Sequence, residues 1–160
     1  MAKVQINREY YESGNLRSET PCEGGIEHGI AKAYYESGNL RAEVTYKYGM
    51  MCGILKEYYE NGSLRREGLF ENDEPSGPMR YYYENGGIKG EMLIEIQKDK
   101  CTIKIYNQNG DIIMDVLFND DGLQSATCAN GKQLTNAHVI RMTNAEDFAD
   151  EALKIYNELS

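Results

Sequence analysis

The stretch Tyr58-Tyr59-Glu60-Asn61-Gly62-Ser63-Leu64-Arg65-Arg66-Glu67 sets the architecture, because it recurs as Tyr10 to Glu19, Tyr34 to Glu43 and Tyr82 to Glu91, and in worn form as Tyr106 to Asp115. Its glycines, Gly14, Gly38, Gly62, Gly86 and Gly110, stand 24 residues apart without slippage. A fixed period of that length marks a repeat array, in which each unit buries its apolar side only by stacking on its neighbours. Within each copy, Asn-Gly or Ser-Gly separates two runs that alternate apolar and polar residues, the sequence signature of a tight hairpin. A more variable second turn follows near Gly24-Gly25 to Gly29, Tyr48-Gly49 to Gly53, and Asn72-Asp73 to Gly77. The expected fold is an all-β repeat array: an elongated antiparallel β-meander of about five 24-residue hairpin repeats with a C-terminal α-helix.

A two-residue turn at Asn61-Gly62, of type I′, dictates which residues meet across the hairpin. Tyr59 then opposes Leu64, Tyr58 opposes Arg65 and Lys56 opposes Glu67. The same register pairs Arg8 with Glu19, Lys32 with Glu43, Arg80 with Glu91 and Lys104 with Asp115, so a base meets an acid in every copy. Strand alternation sorts the side chains onto two faces. Tyr35, Leu40, Tyr59 and Leu64 fall on the apolar face, and Tyr34, Arg41, Tyr58, Arg65, Tyr82 and Lys89 form a Tyr-over-base column on the wet face.

Residues 1–118 are read as the repeat array, 119–142 as a shortened terminal unit that caps it, and 143–160 as an amphipathic helix. From Glu95 to Lys100 the second-turn glycines are replaced by Glu95-Ile96-Gln97-Lys98-Asp99-Lys100. In the tail, Thr143 or Asn144 caps a helix with Glu146 and Asp147 in its first turn, and Phe148, Ala152, Ile155, Tyr156 and Leu159 recur at helical spacing as its apolar stripe.

Composition narrows the function classes. A net charge of −9 excludes the basic footprint that nucleic acid or an anionic membrane requires, and favours a basic partner. The acidity is concentrated late: residues 111–160 hold 9 acids and 3 bases. No stretch has the length of a membrane span and the start lacks an apolar leader core, so a cytoplasmic location is expected. Cys22, Cys52, Cys101 and Cys128 match no zinc spacing and read as free structural thiols. His28 and His138 each stand without a positioned nucleophile or orienting group, so a non-catalytic protein with no cofactor and no metal is expected. Asn61-Gly62-Ser63 reads as a turn rather than a glycosylation acceptor.

The unit Tyr-Tyr-Glu-Asn-Gly-x-Leu-Arg-x-Glu, followed by an aromatic and a glycine turn, resembles the variant form of the MORN repeat, over roughly residues 5–118. The resemblance implies an antiparallel sheet that serves as a protein-binding, and sometimes membrane-associated, module. It also implies, as its most specific version, a bacterial antitoxin or immunity protein that binds a toxin. The other expectation is a structural protein that self-associates through the open sheet. Ten strands would span roughly 48 Å, against ~22 Å for a helix over 145–159, so a strip lined by Tyr35, Leu40, Tyr59 and Leu64 is expected to stay open unless the sheet curls. Together with the wet-face column, that strip is the expected contact surface for a protein partner or a second copy.

Overall fold

The computed structural model describes residues 4–95 and 99–159, so the expectation placed on Ile96, Gln97 and Lys98 lies outside the described residues. The chain divides into two compact units, Met1–Gly77 with Glu84–Gly86 and Pro78–Tyr83 with Gly87–Ser160. The first holds β1 (Val4–Tyr10), β2 (Leu16–Glu23), β3 (Ile26–Glu27), β4 (Gly29–Tyr34), β5 (Leu40–Lys47), β6 (Met50–Tyr58), β7 (Leu64–Glu71) and β8 (Glu74–Pro75). The second holds β9 (Met79–Tyr82), β10 (Ile88–Glu95), β11 (Lys100–Tyr106), β12 (Ile112–Asn119), β13 (Gly122–Cys128), α1 (Asn136–Thr143) and α2 (Phe148–Glu158). In each unit the strands form an antiparallel meander in chain order. The first runs β1-β2-β4-β5-β6-β7, with β3 on β2 and β8 on β7, and the second runs β9-β10-β11-β12-β13.

The base–acid register is as expected: Arg8 faces Glu19, Lys32 faces Glu43, Lys56 faces Glu67, Arg80 faces Glu91 and Lys104 faces Asp115. The turn is not. The Gly62 amide donates to the Tyr59 carbonyl at 2.9 Å and the Tyr59 amide to the Ser63 carbonyl at 2.8 Å, which closes a three-residue loop of Glu60, Asn61 and Gly62. Only the glycine has positive φ, +86°. This is a turn followed by a left-handed glycine, in place of the expected type I′ pair, for which Asn61 would also need positive φ. The same two bonds close the loops at Tyr11, Tyr35 and Asn107.

A longer loop alone would shift the whole hairpin by one residue. A β-bulge restores it: Glu57 faces Arg66 while Tyr58 faces Leu64, leaving Arg65 as the extra residue. The extra residue is Arg17, Arg41, Lys89 or Ile113 in the other hairpins. The expected Tyr59–Leu64 and Tyr58–Arg65 pairs are therefore replaced by Tyr58–Leu64. The leucine now shares the tyrosine's face and the bulge residue turns to the other.

The second unit holds the main core. Burial alternates strictly along β11, and Ile103, Ile105, Met114 and Val116 are fully buried. Val139 and Met142 of α1 and Phe148, Ala149, Ala152 and Ile155 of α2 close over them. The Tyr81 and Phe148 rings meet edge to face at 4.6 Å. Gly90 is required by this docking, since a Cβ there would stand 2.9 Å from that of Ala149.

The tail differs from expectation at its start. Asn144 closes α1 as its C-cap instead of opening the final helix, and α2 begins after Asp147, whose side chain accepts the Asp150 amide. Charge in 146–147 was assigned to a first turn, whereas Asp147 serves as the cap itself. His138 lies inside α1, where its Nδ1 accepts the Thr135 amide at 3.2 Å in a reciprocal cap. The segment after β13 turns at Gly131 and enters α1, so the terminal unit contributes one strand and no return strand.

Because nothing lies within 4 Å of a Cβ built on Gly62, its requirement is purely conformational. Gly62→Val is expected to lower stability by about 1–2 kcal/mol more than Gly62→Asn, as asparagine tolerates the left-handed region. Asn61→Ala is expected to be milder than Gly62→Val, and thermal midpoints of the three variants check the order.

Candidate interaction surface

The wet face is built around a carboxylate in the middle of the second strand of each hairpin. Glu43 faces Lys32 across its own hairpin and Lys56 across the seam to the next. Glu19 likewise lies between Arg8 and Lys32, and in the second unit Glu91 lies between Arg80 and Lys104. Arg8 Nε approaches Glu19 to 3.4 Å and Arg80 Nε approaches Glu91 to 2.8 Å. Each of these acids also receives a tyrosine hydroxyl from the following hairpin. Tyr34 donates to Glu19 at 2.9 Å, Tyr58 to Glu43 at 2.8 Å and Tyr106 to Glu91 at 3.1 Å.

The inner tyrosines also reach forward by one repeat. The Tyr11, Tyr35 and Tyr83 hydroxyls donate to the carbonyls of Tyr34, Tyr58 and Tyr106, each at 2.7 Å. Asn15 and Asn39 bind the carbonyls of Glu36 and Glu60, both at 2.8 Å. The doubled Tyr34-Tyr35 thus has two jobs, one hydroxyl on an acid behind and one on a carbonyl ahead. Sequence reading assigned the column to Arg stacking and missed both bonds, although the invariant offset of Tyr and Glu within the copies was the available signal.

The expected site residues therefore separate. Tyr34, Tyr58, Leu40 and Leu64 share the wet face of the first unit, and Leu40 and Tyr58 line an open groove of about 310 Å³ with Asn39, Asn61 and Gly62. Tyr35 and Tyr59 sit at the loop entrances, so the expected strip of Tyr35, Leu40, Tyr59 and Leu64 is not one surface; the bulge moves the leucines away. Arg41 is exposed at its bulge, and Arg65 turns to the opposite face, 3.9 Å from Glu57. In the second unit Tyr82 faces Ile88 rather than Lys89. Lys89 leaves the column altogether: it is 3% exposed and its Nζ lies 2.7 Å from Asp150 and 3.7 Å from Asp147, pinning the start of α2 to the sheet.

The wet face of the first unit also carries an apolar row that the strand pattern did not single out. Ile6, Ile30 and Ile54 repeat at the 24-residue period and are 46%, 53% and 51% exposed, with Leu69 opposite Ile54. Elsewhere, burial pushes the Cys101 thiol up to about 11 and the Cys128 thiol upward, so both stay protonated and all four cysteines are free. His28 packs edge-on against Tyr48 at 5.5 Å. Among the described residues no cluster of three metal-ligating side chains occurs, and no helix is long and apolar enough to cross a membrane.

Hairpins tied head to tail by carboxylate, base and tyrosine, with an uncovered mixed face, define a repeat module built to present a surface. The chain belongs to the MORN repeat variant family, whose profile matches residues 6–21, 27–48, 51–72 and 75–94. The β11–β12 hairpin lies beyond the matched residues yet keeps the loop and the bulge. MORN repeats commonly mediate protein or membrane-lipid interactions. Comparison with curated proteins gives no match. Among solved structures, a chain of the GtfA/B complex bound to UDP and GlcNAc is similar over 74% of this chain at 12% identity and a TM-score of 0.30, and this chain covers 24% of that one. A protein of unknown function from Bacteroides fragilis is similar over 80% of this chain and 93% of its own, at 12% identity and a TM-score of 0.19.

Two outcomes follow from the charges. Burial, the bond to Glu43 and the charges of Glu43 and Glu67 push the Tyr58 hydroxyl up to about 12, and burial and a carboxylate acceptor raise Tyr34 and Tyr106 in the same direction. These hydroxyls hold their protons more tightly folded than unfolded. Their stabilisation is complete below about pH 10, the unfolded value, and is lost as pH rises toward 12. Denaturation midpoints at pH 9 and pH 11 are expected to diverge less in Tyr58→Phe than in the parent protein. For the buried cation, Lys89→Met removes the base beside Asp147 and Asp150. It is expected to destabilise the second unit on the order of 3 kcal/mol, and Asp150→Ala by less because Asp150 is half exposed.

Proposed function

We propose that this chain is a non-catalytic protein-binding module whose partner contacts the wet face of the first unit. The exposed Ile6, Ile30 and Ile54 row carries the reading. Isolated apolar residues are ordinary on a surface, but a periodic row bordered by Tyr34, Tyr58, Lys32 and Lys56 combines an apolar centre with a polar rim, as interfaces do. The net charge of −9 favours a partner with a basic surface and disfavours anionic lipid. The two histidines support a non-catalytic reading, one serving a helix cap and the other packing on Tyr48. The most specific form of the reading is a cytoplasmic bacterial antitoxin or immunity protein that sequesters a basic toxin.

The test is Ile30→Asp with Ile54→Asp, both at exposed positions, which leaves folding intact by circular dichroism. A defined protein that co-purifies with the parent chain and is lost from the double variant supports the reading. A dimer in sedimentation that the double variant dissolves would assign the row to self-association instead. Robust binding of the parent chain to anionic vesicles at physiological salt, or a partner retained by the double variant, would overturn the proposal.

A further inference from the structure

Three seams between successive hairpins, β2–β4, β5–β6 and β10–β11, share one chemistry. The strand before the seam supplies an acid, Glu19, Glu43 or Glu91, to a base on the strand after it, Lys32, Lys56 or Lys104. That acid also takes the hydroxyl of Tyr34, Tyr58 or Tyr106. The loop before the seam adds a tyrosine hydroxyl and, at two seams, an asparagine amide to carbonyls on the far side.

β1 is a strand of the second kind that ends the strand order of the described residues, and every one of its residues is exposed. Arg8 occupies the place of Lys32 and Tyr10 that of Tyr34. Tyr10 is 58% exposed and its hydroxyl has no hydrogen-bond partner among the described residues, while Tyr34, Tyr58 and Tyr106 each hold an acid. Ile6, on the same face as Arg8, is also exposed. An open edge of this length offers unpaired backbone groups to an added strand.

We propose that the outer edge of β1 is a strand-addition site for an antiparallel segment of a partner protein that places a carboxylate opposite Arg8, within reach of the Tyr10 hydroxyl. These three seams define this occupant, since each is completed by such a strand. A second copy does not supply it. The face of β1 that carries Arg8 holds Val4, Ile6 and Tyr10 and no acid, β13 has no acid at all, and Glu19 and Glu43 are already flanked on both sides. The inference rests on the protein-binding reading but not on the isoleucine row, so the two fail separately.

The probe is a synthetic peptide of residues 29–47, which carries Glu43 with the loop groups Tyr35 and Asn39, and the same peptide with Glu43→Lys. The expected result is saturable binding of the first peptide, with amide shifts confined to β1 and slowed exchange at alternate β1 amides. Arg8→Glu is expected to weaken that peptide at least tenfold and to bind the Glu43→Lys peptide instead. Arg8→Gln, which avoids repulsion with Glu19, is expected to weaken the first without gaining the second. Absence of binding at millimolar peptide, binding unaffected by Arg8→Glu, shifts mapping away from β1, or a dimer dissolved by Arg8→Glu would each overturn the assignment.

Discussion

The structure depends on one arrangement: a glutamate set between two bases, with a tyrosine hydroxyl from the following hairpin completing its shell. Glu43 is the clearest case, facing Lys32 and Lys56 while accepting from Tyr58. Each isolated exposed ion pair contributes little, typically 0–1 kcal/mol. Its value here lies in register. A strand displaced by one residue would separate each of its bases and acids from its partners on both neighbours at once, so a column of weak contacts enforces one alignment. The tyrosine bond adds direction, because it is made only when the next hairpin sits one repeat further on.

Much of this was legible in the residues. The 24-residue period, the hairpins and all five base–acid pairs follow from spacing alone, and they stand in the structure. The loop type was not legible, because Asn-Gly serves both a type I′ pair and a turn closed by a left-handed glycine, and the two differ by one residue. The bulge then hid the difference at a distance. It cancels the offset beyond Glu57, so a correct pairing at Lys56 gave no warning of the wrong pairing at Tyr58.

That local cancellation also explains the site. Arg41, Arg65 and Lys89 were placed beside the tyrosines because alternation was carried straight through a position where two residues share one partner. Lys89 shows how far the error reaches, since it ends buried under a helix whose acids lie some 61 residues along the chain. Nothing in a short-range pattern reports such a contact. The helix α1 was passed over for a related reason: its buried residues, Val139 and Met142, are too few to form a stripe, and Ile140 points outward. The exposed isoleucine row, by contrast, was written in the period and needed only the correct face to be seen.

The covering of Ile103, Ile105, Met114 and Val116 by α1 and α2 has a consequence for the order of events during synthesis. The β11 and β12 hairpin is made entirely from contacts close in sequence, and such structure forms early. Its lid is encoded downstream and leaves the ribosome later. For that interval the nascent chain presents a finished aliphatic sheet face with no cover, ending only when Phe148 docks on Tyr81 and Asp150 reaches Lys89. Exposure of this aliphatic face in the newborn protein is therefore concentrated in this window, and it comes from the timing of the tail rather than from any weakness of the repeats.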